Sequence, residues 1–295
     1  MSWGGGNKGR ESHLLLHVFL ILFTLVAIYP VLWVISVAFS GTQNLAFADV
    51  PPDPGFVDRL RAIVPWPGTF SLKNFVDVLT EQPFLRWIVN SAIVAAATTV
   101  VGVFLACTAA YAFSRFRFPG RRSGMMSFLV SQMFPGTLML VPLYIIIVQW
   151  LGLGSTKLGL VLVYATIAIP FCVWMLKGYF DTIPRELEEA AIIEGAGPAR
   201  VFWSVVIPLA KPAIAVTALF SFMTAWNEFI IAATFMDKEL DYTAPVGLRF
   251  FVGGFSQSWG YFAAGSVIVS IPVVFLFLYL QKYLVSGLTA GSVKG

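Results

Sequence analysis

Six apolar runs, at about residues 14–39, 87–113, 125–150, 158–180, 209–235 and 262–285, constrain this chain more than any other feature. Each reaches or exceeds the roughly 20 apolar residues that a helix needs to cross a bilayer. A segment in lipid must satisfy its own backbone hydrogen bonds, which leaves helices or closed barrels. None of the runs alternates as a barrel strand does. Composition agrees: the chain is 58% hydrophobic and 12% charged, where ordinary soluble domains carry about 25% charged residues. The sequence therefore specifies an all-α membrane protein of about six transmembrane helices. Pro30, Pro135, Pro142, Pro170 and Pro272 fall in or near the runs and predict kinks.

Lys8 and Arg10 precede the first run, and Ala46-Phe47-Ala48 has the form of a leader cleavage site. The run between them is far longer than the about 7–15 residues of a leader's apolar region, so it reads as a retained first helix. Basic residues set the orientation. Arg115, Arg117, Arg121 and Arg122 crowd one short connection that holds no acid. Lys177, Arg185, Arg200, Lys211, Lys282 and Lys294 fall on the same side, with the N-terminal residues 1–13 and the tail 286–295. Arg59, Arg61, Lys73, Arg86, Lys157, Lys238 and Arg249 are spread over longer connections on the other face. Both termini are thus expected in the cytoplasm. The net charge of +4 follows this pattern and forms no basic stripe with interleaved aromatics, so nucleic acid is not an expected partner.

Few residues suggest chemistry. Cys107 and Cys172 lie within apolar runs and read as small buried hydrophobes. His13 and His17 share a helical face, but two ligands do not make a metal site. Gly152-Leu153-Gly154-Ser155-Thr156-Lys157 does not fit a phosphate-binding loop. No H-E-x-x-H or G-x-S-x-G motif appears, nor paired carboxylates in the apolar runs, which argues against an intramembrane hydrolase. Asn227 and Glu228 stand within the fifth run. A carboxylate at that depth costs about 2.5–3.5 kcal/mol on insertion scales, so it must face protein or an aqueous cavity. Two readings stay open: a pore-lining pair suited to sugar hydroxyls, or a satisfied contact between helices near a helix end, the latter preferred for Glu228.

Two outer loops are long. Residues 40–86 are proline-rich, and residues 236–261 carry Gly247, Gly253, Gly254 and Gly260 among Phe250, Phe251, Phe255 and Trp259. Exposed rings on a mobile loop suit a binding element; they suit the aromatic belt of a membrane interface equally well. The cytoplasmic segment 181–208 is more informative. Asp181 or Thr182 suits a cap, Pro184 a first turn, and Glu186, Glu188 and Glu189 the positive end of a helix. Gly195-Ala196-Gly197-Pro198 then breaks that helix and a second one starts. On these residues alone the product is a helix–turn–helix at the membrane surface, which serves equally as a plain amphipathic connector.

Glu189-Ala190-Ala191, Gly195 and Pro208 match the Glu-Ala-Ala–x3–Gly–x9–Ile-x-Leu-Pro loop of ABC importer permeases, with Val205 and Ile207 at the Ile and Leu positions. The segments Ala110-Tyr111-Ala112-Phe113-Ser114-Arg115, Phe118-Pro119-Gly120, Lys177-Gly178-Tyr179-Phe180 and Ala225-Trp226-Asn227-Glu228-Phe229, with the tail 284–295, extend the likeness over nearly the whole chain. The chain resembles the MalG-type permease subunits of bacterial carbohydrate (maltose/maltodextrin-like) ABC importers. That resemblance implies a type I importer permease fold in the bacterial inner membrane, with the 181–208 loop as a coupling helix seated on an ATPase. Glu189 would be the polar contact, Ala190 and Ala191 would allow close approach, and Gly195 would make the turn. It further implies that Gly291, Ser292, Val293, Lys294 and Gly295 reach the ATPase dimer interface. Gly247, Phe251, Gly253, Gly254 and Trp259 would occupy the place of a loop that meets the external binding protein. The implied partners are a second, MalF-like permease, a MalK-like ATPase dimer and a periplasmic or lipid-anchored sugar-binding protein. No cofactor is expected on this chain; ATP and Mg belong to the partner ATPase. Trehalose and glycerol phosphate are carried by related permeases. An ion-coupled secondary transporter with Glu228 as its ion site is the alternative class; its usual inverted repeats are not evident here.

Overall fold

The computed structural model describes residues 6–45, 55–66, 70–254 and 257–292, with side chains omitted for 6–12, 60–62 and 284–292. Ala46-Phe47-Ala48, Pro51, Pro52, Pro54, Pro67, Phe255 and the tail residues Val293, Lys294 and Gly295 lie outside the described residues. Among those described, every regular element is helical. In chain order these are α1 (Gly6–Ala38), α2 (Phe56–Ile63), α3 (Lys73–Thr80), α4 (Phe84–Arg115) and α5 (Arg121–Met133). Next come α6 (Gly136–Trp150), α7 (Lys157–Phe180), α8 (Glu186–Ile193), α9 (Pro198–Leu209) and α10 (Lys211–Trp226). The last are α11 (Ile230–Phe235), α12 (Ala244–Phe250) and α13 (Trp259–Ser292). Four helices are long and apolar enough to cross a membrane, and there are six spans if each of two bent pairs counts as one.

The bent pairs are where the helices depart from simple apolar runs. The third run, 125–150, is split between α5 and α6, which meet at 100°. Phe134 is extended (φ −76°, ψ 129°) ahead of Pro135, as the ring of a following proline requires. Proline also removes a helical N–H, and Gly136 then opens α6. The fifth run, 209–235, opens at an 80° bend between α9 and α10, at Ala210, flanked by Pro208 and Pro212. It is interrupted again at residues 227–229. Hydropathy reports how apolar a segment is and says nothing of whether its backbone bonds run unbroken.

The chain divides into two compact units, Met1–Gln82 with Leu248–Val269, and Pro83–Gly247 with Ser270–Gly295. In the first, Asn74 is fully buried. Its amide nitrogen donates to the carbonyls of Val37, Ala38 and Thr42 at 3.2–3.4 Å, and its oxygen accepts from Gln43 Nε2 at 2.9 Å. Val37 and Ala38 are the last residues of α1 and Thr42 lies just beyond it, where helix-end carbonyls need partners from outside the helix. Gln43 in turn receives the N–H groups of Trp259 and Tyr261, and Tyr261 donates its hydroxyl to Asp77 at 3.0 Å. Gly260 fits here because a Cβ would lie 2.1 Å from the Thr42 carbonyl. The 40–86 connection is thus partly structured, with α2 and α3 inside it.

In the second unit α4 packs most extensively on α7, then on α10, and α5 also lies against α7. Small residues make this close approach: Ala106, Ala110, Ala210 and Ala213 are buried with Cys107, Cys172, Val173, Leu176 and Phe180. Helices in lipid associate largely through such tight packing, since lipid tails are as apolar as the side chains. Both cysteines are free and buried.

Candidate functional site

Segment 181–208 is built around α8. Three glutamates in its first turn complement the positive end of the helix. Its C-terminus closes as a Schellman turn: Ala196 N–H donates to Ala191 O and Gly195 N–H to Ile192 O, both at 2.9 Å. Gly195 sits at φ +88°, a left-handed conformation that explains the glycine. Glu189 and Ala190 are exposed, Ala191 is half-buried, and Pro208 is exposed further on. Leu187, Ile192 and Ile193 are exposed as well, Ile193 to 88%.

The adjacent glutamate does the opposite. Glu188 is buried, and its Oε1 accepts from Arg115 Nε at 2.5 Å, with the two side chains 10% and 8% exposed. Tyr111 donates its hydroxyl to Glu188 Oε2 at 3.3 Å. Arg115 also donates to Ser114 Oγ at 2.9 Å and to the Ile183 carbonyl at 3.1 Å. Ser114 and Lys177 both bond Asp181, at 2.6 and 2.5 Å. Desolvation works to raise the Asp181 pKa, but hydrogen bonds from Lys177 and Ser114, with the Lys177 and Arg115 charges, hold it below the usual carboxylate value. The first turn of α8 is therefore tied to the ends of α4 and α7. The sequence offered Arg115 as an orientation signal and Glu188 only as one of three charges at the positive end of the helix, since neighbouring glutamates look alike until the helix is placed.

The second polar site lies where the fifth run breaks. Glu228 follows the end of α10 and receives the N–H groups of Ile231 at 2.8 Å and Ala232 at 3.0 Å, the first donors of α11. Tyr164 of α7 donates its hydroxyl to Glu228 Oε2 at 2.7 Å. Asn227 ends α10, is exposed, and bonds through its N–H to Met223 O at 3.0 Å. A cavity of about 300 Å³ opens here, lined by Gly136 and Thr137 of the α5–α6 break, Tyr164, Thr224 and Glu228, with Leu140 and Ile231 among its apolar walls. The breaks of the third and fifth spans thus share one cavity. Tyr164 was the missed partner; a tyrosine inside an apolar run was its only signal.

Segment 236–261 falls into two parts. Trp87 Nε1 donates to the Glu239 carbonyl at 2.8 Å, and Asn90 donates to the carbonyls of Leu240 and Tyr242 at 3.0 Å each. Ser91 Oγ accepts from Ala244 N–H at 2.8 Å. Ser155, at φ 52°, bonds the Asp237 carboxylate at 2.8 Å. Residues 237, 239, 240, 242 and 244 are thus bonded to α4 and to Ser155. Gly247 is buried, and a Cβ there would fall 1.9 Å from the Trp87 ring, so this glycine serves packing. Phe251 is also buried, while Gly253 and Gly254 are exposed and Trp259 is half-buried.

The family of binding-protein-dependent transport system inner membrane components matches residues 98–290. The chain belongs to this family. It is 35% identical to the maltodextrin transport system permease protein MdxG of Bacillus subtilis over 95% of each chain. It is 36% identical to the maltose/maltodextrin permease MalG of Salmonella typhimurium over 98% of each. The galactooligosaccharides permease GanQ of Bacillus subtilis is 35% identical over 97% of each. Among solved structures, a bacterial ABC transporter involved in import of the acidic polysaccharide alginate superposes with a TM-score of 0.77, covering 96% of this chain and 99% of that one, at 23% identity. The fold is that of a type I ABC importer permease. As a member of the inner membrane component family, this chain is a multi-pass membrane protein and a transport component.

Proposed function

We propose that this chain is one permease of a bacterial importer that moves a maltose- or maltodextrin-like sugar across the inner membrane, with ATP hydrolysed by a separate ATPase subunit. The carrying observation is α8, whose exposed Leu187, Glu189, Ala190, Ile192 and Ile193 face outward while Glu188 anchors the helix inward. In this reading α8 is the coupling helix, Glu189 the polar contact to the ATPase, and Gly195 the turn that sets its exposed end. The tail Gly291, Ser292, Val293, Lys294 and Gly295 contacts the ATPase dimer, which holds ATP and Mg. A second permease completes the pore, and a binding protein delivers sugar from outside to the surface that includes Gly253, Gly254 and Trp259. Both termini lie in the cytoplasm. Glu228 borders the cavity at the broken spans, with the exposed Asn227 beside it in the chain, so hydroxyl-bearing solutes reach Glu228 only if that cavity opens to the pore.

ATP acts by population shift: the ATPase favours one arrangement of the helices, and the binding protein adds differential affinity for the same arrangement. Relatives named for maltodextrin support the sugar assignment, and the galactooligosaccharide relative gives galactosides second rank. The test is ATP hydrolysis in proteoliposomes holding both permeases and the ATPase, with binding protein empty or loaded with maltodextrins or galactooligosaccharides. Stimulation by the loaded maltodextrin form, lost in Glu189→Lys, is expected. Hydrolysis indifferent to binding protein and to that substitution, in an assembled complex, would refute the coupling role.

A further inference from the structure

A part that transmits motion across a membrane must be stiff and must be gripped at both ends. Among the described long spans, α1, α7 and α13 contain Pro30, Pro170 and Pro272, and the remaining two are sharply bent. The helix α4 has neither proline nor break over its 32 residues. From Trp87 to Arg115 it extends about 42 Å at 1.5 Å per residue. It packs along its length on both α7 and α10.

Each end of α4 holds a different segment by polar bonds made through its own side chains. At one end Arg115 grips Glu188 and the Ile183 carbonyl, and Ser114 grips Asp181, so that α8 cannot pivot freely on the connection after α7. The ion pair is nearly dry, and a buried charge without its partner is strongly unfavourable, which resists separation of the two helices. At the other end Trp87, Asn90 and Ser91 hold the Glu239, Leu240 and Tyr242 carbonyls and the Ala244 N–H. These bonds join residues some 150 positions apart in the chain.

We infer that α4 is a rigid rod carrying displacement of α8 to the outer segment 239–247, with Arg115–Glu188 as the inner joint and Trp87, Asn90 and Ser91 as the outer joint. The inference rests on the coupling role of α8 proposed above and assigns the positioning residues through which it acts. Arg115 and Glu188 touch neither sugar nor ATP; they fix where the coupling helix stands on the rod.

Spin labels at Glu194→Cys and Lys238→Cys, both exposed positions, report the rod's length in the assembled importer by electron–electron distance measurement. In the otherwise unaltered chain, a narrow inter-label distance that stays constant through ATP and loaded binding protein is expected. Glu188→Gln and, separately, Asn90→Leu should broaden it and lower stimulation by the loaded binding protein about tenfold, within the range of ordinary allosteric couplings. Asn90 lies at the end remote from the ATPase, so its variant carries the test if Glu188→Gln fails to assemble. A distance that changes with nucleotide in the unaltered chain, or full stimulation with a narrow distance in the variants, would overturn the rod. Hydrolysis that ignores the binding protein even in the unaltered chain would instead overturn the import assignment beneath it.

Discussion

At Glu188 and Glu189 one residue of helix rotation, about 100° at 3.6 residues per turn, decides whether a carboxylate is buried against arginine or open to a partner. The same resolution applies at glycines. Gly247 has no room for a side chain because the Trp87 ring occupies the space, whereas a Cβ at Gly254 meets nothing within 4 Å. Gly247→Ala should destabilise the chain by about 1–3 kcal/mol, as overpacked sites do, and Gly254→Ala should leave stability unchanged. Thermal unfolding of the purified protein in detergent checks both; equal melting temperatures for the two variants would contradict the close packing. Glu228 supplies a second contrast. Glutamine retains one acceptor oxygen and turns an NH2 donor toward the other partners, while alanine leaves both N–H groups of α11 and the Tyr164 hydroxyl unpaired. The expected loss is smaller for Glu228→Gln than for Glu228→Ala, where it is about 1–3 kcal/mol or more, the usual penalty for buried groups left without partners.

At the scale of elements, α8 ends where Gly195 takes a left-handed conformation and the Schellman bonds close. A β-branched side chain is disfavoured there by about 1–2 kcal/mol. Gly195→Val should therefore unwind the end of α8 and reduce binding-protein-stimulated hydrolysis, while the permease still inserts and co-purifies with its partner permease. Normal stimulation in that variant would separate the turn from coupling. The length of the apolar stretches found the six runs, and the Gly-Ala-Gly-Pro break marked the end of α8, while its start lies at Glu186 with no side-chain cap from Asp181 or Thr182. The 100° bend within the third run and the interruption at 227–229 were legible only as a proline and as an unexplained Asn-Glu pair. Hydropathy integrates over a window, and these breaks depend on a few bonds.

For the whole molecule, orientation is the property most open to direct measurement. With Cys107 and Cys172 buried, single cysteines placed at exposed Glu186 and Lys238 become the reactive thiols. An impermeant thiol reagent should label Lys238→Cys in intact cells and Glu186→Cys only after the inner face is exposed. The reverse pattern would invert the assignment made from the arginines at 115, 117, 121 and 122. Family membership rests on a match across residues 98–290, and Glu189-Ala190-Ala191 with Gly195 falls inside that range.

The sequence by itself determined that the chain is helical and crosses a membrane, because runs this apolar have no other stable way to satisfy their backbones in lipid. It also determined where a short surface helix would stop, because glycine and proline breaks act locally; the start moved from the expected Asp181 or Thr182 cap to Glu186, since Asp181 is engaged by Ser114 and Lys177 and Thr182 by the Tyr179 carbonyl. Tertiary structure decided which charges meet: Arg115 with Glu188 across 73 positions, Tyr164 with Glu228 across 64, and Asn90 with Tyr242 across 152. Pairing at that separation depends on how helices rotate and pack, which no local pattern encodes, and it is this pairing that turns a row of spans into a machine with joints.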